Sequence, residues 1–169
     1  MRDSYHDIVF DRGKSQAFDF EILPLENILT RKLDHDPTQL HRVQFFVMII
    51  ATAGEGKHTI DFKEYEYSDG SVLTIRKNQL HKFHKSSAKG YLILFTEEYV
   101  LSFLEQSGAD KINRFFNELL FDQHTQIDKE SFSAILSIIN MIQDEFNSKI
   151  DIHSSRILRN YLQILISKI

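Results

Sequence analysis

The sequence predicts an α+β chain in which a β-barrel or sandwich is followed by helices. Residues 17–95 alternate between apolar and polar side chains and carry repeated turn signals. Residues 96–169 show helical periodicity instead and contain a single glycine, Gly108. With 169 residues the chain fits one domain with a helical appendage, and it is long enough to bury a core without disulfides.

The first half divides into short segments of strand type. Residues 43–53 (VQFFVMIIATA) are rich in β-branched and aromatic side chains, which predicts a buried strand. Gly54-Glu55-Gly56 predicts a tight hairpin, because glycine adopts positive φ without strain, and residues 57–62 predict its return strand. Further strands are predicted at residues 18–23, 27–34, 65–67, 71–76, 80–84 and 91–95, with turns at 68–70 and 77–79.

The second half predicts four helices. Thr96 followed by two glutamates is a typical helix start, because a hydroxyl and carboxylates both stabilise the free N–H groups there. This helix is predicted to end near Gln106, and the others cover residues 110–121, 128–146 and 152–169. The last one reaches Ile169 without a glycine or proline stop, which indicates a boundary inside a longer protein.

Composition narrows the classes of function. The absence of cysteine excludes disulfides, thiolate metal sites and cysteine nucleophiles. A net charge of −4, with no helix-turn-helix pattern, indicates that any DNA-reading element lies outside these residues. The charged N-terminus is not a signal peptide, and the longest apolar run, residues 45–51, is far shorter than a membrane span. We therefore expect a cytoplasmic protein with no membrane contact.

No catalytic motif stands out. The serines of the turns are not in a strand–Ser–helix elbow, and GEG is a turn rather than a phosphate loop. We therefore predict no catalytic residue, no cofactor and no metal.

The order of these elements resembles the N-terminal sensor domain of AraC-type bacterial transcription regulators, which has a cupin-like β-barrel of the double-stranded β-helix type. The resemblance covers most of the chain and follows HRVQFF, GEGKHTIDFKEYEYSDGSVLTI, KNQLHKFH and YLILFTEEYV in order. The tail RILRNYLQILISKI is similar to the segment that precedes the DNA-binding units of that family. The sequence differs at Lys77-Asn78, where the family has a turn rich in proline and glycine.

The resemblance implies a division of labour. Residues 1–16 would be an N-terminal arm, residues 17–95 the barrel that holds a small effector, and residues 96–169 a helical segment that forms a homodimer. An effector would favour one arrangement of the arm or the helices, and so change the geometry of DNA-binding domains outside this chain.

Strand alternation and the resemblance together predict the effector site. Residues on one face of the strand at 43–53 share their orientation, and the family pattern places Ala53 and Phe83 at the cavity. The predicted effector-binding residues are Val47, Ile49, Ala51, Ala53, His81, Phe83, Leu92 and Leu94. No arginine is among them, so an apolar or aromatic molecule fits better than a sugar. The alternative is that these side chains simply fill the barrel.

A metal-dependent cupin enzyme, such as a dioxygenase or isomerase, is the rival interpretation. Such enzymes use an HxH pair, a nearby carboxylate and a distant histidine. Here His58 would begin the pair, Ile60 replaces its second histidine, and Glu64 and His81 would follow. The alternative is that His81 bonds to the turn backbone while His58 and Glu64 face solvent, with His41 and His84 on the surface.

The last helix carries an apolar stripe. Leu158, Leu162, Leu165 and Ile169 follow the spacing of a coiled-coil seam, and Tyr161 widens it. We predict that these five residues form the homodimer interface. The alternative is that the stripe packs back on the barrel or on the helix before it.

Overall fold

The computed structural model describes residues 5–11, 18–104, 117 and 122–169. The strands within this part are β1 His6–Ile8, β2 Phe20–Pro24, β3 His41–Val43, β4 Phe46–Ala53, β5 Glu55–Ile60, β6 Lys63–Ser68, β7 Ser71–Ile75, β8 Leu80–Phe83, β9 Lys89–Phe95 and β10 His124–Gln126. A 3-10 turn covers Leu25–Asn27, and the helices are α1 Glu97–Leu104, α2 Lys129–Asn147 and α3 Ser154–Ile166.

The strands form two five-stranded sheets that pack face to face. The order is β1-β3-β8-β5-β6 in the front sheet and β10-β7-β4-β9-β2 in the back sheet. Val47 and Ile49 of β4 point between the sheets into the barrel interior, whereas Phe46, Met48 and Ile50 point away from it toward the helices. The alternation of apolar side chains along β4 therefore serves two cores. This arrangement confirms the predicted cupin-like β-barrel followed by helices.

The predicted hairpin at residues 54–56 is wrong. Strand β4 pairs with β7 and β9, and β5 pairs with β6 and β8, so the chain changes sheets at this turn. Gly54 does adopt a positive φ of 74°, and a Cβ there would lie 2.5 Å from the Ser87 carbonyl oxygen. The local hairpin is β5–β6 instead, and it turns through Asp61 and Phe62 at positive φ.

Three other segments differ from the prediction. Residues 27–34 form no strand, because Thr30 and Arg31 both donate backbone hydrogen bonds to the Asn27 carbonyl in a tight turn. The strand predicted at residues 43–53 is interrupted between β3 and β4. Strand β10 was not predicted, and it extends the back sheet by pairing with β7. The helix predicted at residues 110–121 lies outside the described residues apart from Asn117.

The helices cover the outer face of the back sheet. The start of α1 is confirmed, since the Tyr99 N–H donates to Thr96 Oγ1 at 3.1 Å. Helix α2 begins where Asp128 accepts hydrogen bonds from the N–H groups of Glu130 and Ser131. The buried residues of α2 and α3 join the cluster around β4 and β9. No helix in the described part of the chain is long and apolar enough to cross a membrane.

Candidate functional site

A cavity of about 90 Å³ lies inside the barrel, beside the N-terminal residues. Its walls come from both sheets, from the loop after β2 and from residues 8–11. The side chains of the front sheet are His41, Val43, His81 and Phe83, and those of the back sheet are Glu21, Val47, Leu92 and Leu94. The N-terminal residues therefore determine how open this end of the barrel interior is.

Most of the predicted effector residues lie in or next to this cavity. Its wall includes Val47, His81, Phe83, Leu92 and Leu94. Ile49 and Ala51 belong to the same interior cluster without lining the cavity. The placement of Ala53 was wrong, because the register shifts between Ala51 and Ala53 and the Ala53 side chain is exposed. That the lining residues bind an effector stays a prediction.

Residues 8–11 form one wall of the cavity, and strand β1 holds them there. Strand β1 runs parallel to β3, and the Gln44 N–H donates to the Ile8 carbonyl at 2.8 Å. The Phe10 ring packs edge-on against Phe45, with centroids 5.6 Å apart. Residues 1–16 are mostly polar and lack periodicity, so the pattern does not predict this contact, and its one signal is the apolar triplet Ile8-Val9-Phe10.

An ion pair that the sequence analysis missed also lines the cavity. Arg31 Nη2 lies 2.8 Å from Glu21 Oε1, and the two side chains are only 20% and 15% exposed. Arg31 is not among the predicted effector residues, because the sequence predicts a strand at residues 27–34, whereas the turn there places Arg31 at the cavity. The two charges offset each other, so this pair adds polarity without net charge, and Asp11 of the N-terminal segment is a further charged residue of the lining.

Three buried histidines form a cluster beside the cavity. His41, His58 and His81 are 4%, 0% and 1% exposed, so the surface position predicted for His41 was wrong. The ring of His81 lies between the other two, at centroid distances of 4.2 Å from His41 and 5.2 Å from His58. His58 Nε2 and His81 Nδ1 are hydrogen-bonded at 3.0 Å. His81 therefore bonds to another histidine rather than to the turn backbone.

Burial keeps this cluster uncharged. Loss of solvent lowers the pKa of His41 to about 4 and that of His58 to about 3, and repulsion from neighbouring histidines adds to both effects. The pKa of His81 also lies well below its ordinary value, mainly because of burial and then because of His58 and His41. The three imidazoles are neutral near pH 7.

The predicted ligand triad of His58, Glu64 and His81 does not converge. Glu64 is exposed and pairs with Thr59 across the β5–β6 hairpin, so it lies on the opposite face from His58. No group of three or more ligand-type side chains in the described part of the chain could hold a metal ion. His84 is half-buried rather than on the surface, with Nε2 2.8 Å from Thr59 Oγ1.

The apolar stripe of the last helix faces the chain's own core. Leu158, Leu162 and Leu165 are fully buried, and they pack with the back sheet and α2. Tyr161 and Ile169 are half-buried against the same cluster. These three leucines have no surface to offer a partner, so a homodimer through α3 stays a prediction that would need another face of the helix.

The AraC-like ligand binding domain family matches residues 28–154, which include most of the barrel and all of α2. The chain belongs to this family. The match to the AraC-like ligand binding domain runs through the histidine cluster and the cavity residues from Ile28 onward. No curated protein sequence matches the chain.

Several solved structures are similar to this AraC-like domain at low identity. An apo ToxT variant from Vibrio cholerae strain SCE256 is 12% identical with a TM-score of 0.48, over 89% of this chain and 55% of that one. The AraC-like transcriptional activator CuxR is 12% identical with a TM-score of 0.44, over 88% and 48%. ToxT from Vibrio cholerae O395 bound to (E)-4-(8-methylnaphthalen-1-yl)but-3-enoic acid is 11% identical with a TM-score of 0.46, over 88% and 55%. The chain spans about half the length of these regulators.

Proposed function

We propose that this chain is the effector-sensing and dimerisation part of an AraC-type transcription regulator, acting in the cytoplasm without catalysis. Residues 1–16 serve as the arm, residues 17–95 as the sensor barrel and residues 96–169 as the helical dimerisation segment. DNA is bound by a helix-turn-helix domain outside these residues. Family membership supports the proposal. The observation that carries it is the wall that residues 8–11 contribute to the barrel cavity.

The cavity is so small that ligand binding must be coupled to movement of the arm. Pockets for small ligands have volumes of about 300–1,000 Å³, and a cavity that binds benzene needs about 150 Å³. The present cavity measures about 90 Å³, so such a ligand must displace part of the wall. Sheet pairing and the interior core hold most of the wall, whereas the arm is held by the short β1–β3 ladder, by Phe10 and by surface contacts such as Tyr5–Phe62 and Asp7–Arg42. The effector therefore shifts the equilibrium position of the arm.

The cavity lining favours an apolar or aromatic effector. Phe10, Phe45 and Phe83 contribute aromatic surface, and Val47 and Leu92 contribute aliphatic surface. The charged side chains Arg31 and Glu21 already satisfy each other. A sugar would need several free polar partners to replace its bound water, and the cavity supplies few.

Dimerisation uses the exposed side of the helical pair in this proposal. Ile164 of α3 and Met141 of α2 are 47% and 50% exposed, and Tyr161 is half-buried one turn before Ile164. An isologous interface centred on Ile164 would leave the buried leucines of α3 in the core.

Hydrogen exchange of the arm tests the sensing function, with indole as a small aromatic probe. We expect indole to speed amide exchange of residues 5–11 in the wild type, because binding displaces the arm. In Val47→Phe the added ring fills the cavity, so the effect of indole should vanish. Ile50→Val, on the opposite face of the same strand, should respond as the wild type does. An arm that ignores indole, or that responds equally in Val47→Phe, would contradict the proposal.

A further inference from the structure

The histidine pair behind the cavity leaves two buried nitrogens without a partner. His58 Nε2 and His81 Nδ1 are 3.0 Å apart, and both residues are almost completely buried. The remaining nitrogens, His58 Nδ1 and His81 Nε2, have no hydrogen-bond partner among the residues that the structure describes. Most buried polar atoms in native proteins are hydrogen-bonded, so an unpartnered buried nitrogen is a candidate to bind a ligand.

The number of protons on the two rings shows that the pair cannot satisfy the hydrogen bonding of all four of its nitrogens. Two neutral imidazoles carry two N–H groups and two bare nitrogens. The bond between them uses one of each, whichever ring donates. One N–H and one bare nitrogen therefore remain on the two outer positions in either arrangement.

The surroundings decide where the spare N–H lies. His81 lines the cavity, whereas His58 does not, and its side chain is 0% exposed. Both outer nitrogens are fully buried. An N–H on His58 Nδ1 would thus stay unsatisfied, whereas an N–H on His81 Nε2 is the one that an effector can reach once it displaces part of the cavity wall. The favoured arrangement has His58 donating from Nε2 to His81 Nδ1, which places the second proton on His81 Nε2. His41 adds no second donor, because its Nδ1–H is already given to the Gln39 carbonyl at 2.9 Å.

We propose that the His58–His81 pair selects an uncharged effector that carries a hydrogen-bond acceptor, such as a carbonyl oxygen, on its apolar body. The acceptor receives a hydrogen bond from the N–H of His81 Nε2. His58 is a positioning residue, since it fixes which nitrogen of His81 is protonated without touching the effector. The inference rests on the proposed function of the cavity as the effector site.

The electrostatics of the site agree with an uncharged ligand. The pKa values of His41, His58 and His81 are all lowered, so no imidazolium is present near pH 7 to hold an anion. Of the charged side chains in the lining, Arg31 and Glu21 form an ion pair with each other, and Asp11 belongs to the arm that the effector displaces. A charged effector would lose its hydration without an unpaired opposite charge in return.

Two probes of equal shape test the selection. Acetophenone carries a carbonyl oxygen, and α-methylstyrene has a CH₂ group in its place. We expect wild-type protein to bind acetophenone roughly five- to tenfold more tightly, the factor that one net hydrogen bond provides, as measured by methyl NMR titration. His81→Phe should lose this preference. His58→Gln should keep it, because the amide N–H can donate to His81 Nδ1 as the imidazole does.

The protonation state of His81 tests the role of His58 directly. Nitrogen-15 NMR of the wild type should show a protonated Nε2 and a bare Nδ1 on His81, and His58→Phe should shift these signals toward a mixture of the two tautomers. A protonated Nδ1 in the wild type would overturn the proposal even if every variant failed to fold. Equal affinities for the two probes would also overturn it while leaving the cavity as a ligand site. If neither probe binds, the cavity is not an effector site, and the proposed selection by His81 is wrong as well.

Discussion

The ring of Phe10 stands almost perpendicular to the ring of Phe45, at 86° with centroids 5.6 Å apart. This contact joins the N-terminal arm to the stretch between β3 and β4, next to the cavity. In the proposed function, it is the point at which a ligand in the barrel and the arm compete for the same space.

Removal of this ring should loosen the arm without unfolding the barrel. An aromatic pair of this geometry contributes about 0.5–1.5 kcal/mol beyond the area that it buries. Phe10→Ala should therefore raise the exchange rates of the amides in residues 5–11 by roughly three- to tenfold, with little change in the melting temperature. Val9→Ala is the matched control, since Val9 is 70% exposed. Equal protection in both variants would show that the β1–β3 ladder and the other contacts of the arm hold it without Phe10.

Acid should destabilise the fold through the buried histidines. In the folded chain burial lowers the pKa of His41 to about 4 and that of His58 to about 3, whereas unfolding returns both toward 6.5. Between pH 6.5 and 4 the unfolded chain thus binds more protons, so the free energy of unfolding falls as the pH falls. Each histidine adds a slope of up to about 1.4 kcal/mol per pH unit.

Urea midpoints measured across this pH range check the prediction. His41→Asn should flatten the slope, because its amide can still donate to the Gln39 carbonyl and does not titrate. A slope unchanged by this substitution would assign the acid sensitivity to other groups.

Gly90 should tolerate no side chain. It pairs with Ala51 between β4 and β9, has a φ of 150°, and a Cβ there would lie 2.0 Å from the Ile50 carbonyl oxygen. Gly90→Ala must therefore move backbone in the centre of the back sheet, at a cost of about 2 kcal/mol or more. The neighbouring exposed Lys89→Ala should leave the thermal melt almost unchanged. A stable Gly90→Ala variant would mean that β9 shifts easily against β4.

The two faces of α3 should respond differently to substitution. Leu162 is fully buried, so Leu162→Ala should lower the free energy of unfolding by about 2–5 kcal/mol. Ile164 is 47% exposed, so Ile164→Asp should leave the melting temperature nearly unchanged and convert a dimer into a monomer, as measured by light scattering. A dimer that survives Ile164→Asp would place the interface elsewhere.

Alternation along single strands was predictable because it is a local property. The inward positions of Val47, Phe83 and Leu92 follow from the two-residue repeat of a strand once its face is known. The same rule gave the wrong result at Ala53, because a register shift at the end of β4 is invisible in the pattern of apolar residues. The apolar stripe of α3 was equally predictable. The pattern does not show, however, whether the stripe packs against a partner chain or against the chain's own core.

Strand neighbours were not predictable, and the histidine pair depends on them. His58 and His81 are 23 residues apart and meet only because β5 and β8 are adjacent in the front sheet. The glycine at residue 54 predicts a hairpin. In the structure, the same positive φ occurs where the chain passes from one sheet to the other. Local sequence indicates that the chain turns, while the packing of both sheets decides which strand it joins.

The alternation of consecutive strands between the two sheets also determines how this chain can fold. Among the strands from β4 to β9, only β5 and β6 pair as a local hairpin. Strand β2 can pair only after β9 is available, and β9 begins 65 residues after β2 ends. Contacts of such long sequence separation close slowly, because the loop entropy is lost before the pairing energy is gained. Folding of the barrel should therefore be slow compared with helical domains of similar size, and during synthesis the back sheet stays open until β9 has left the ribosome.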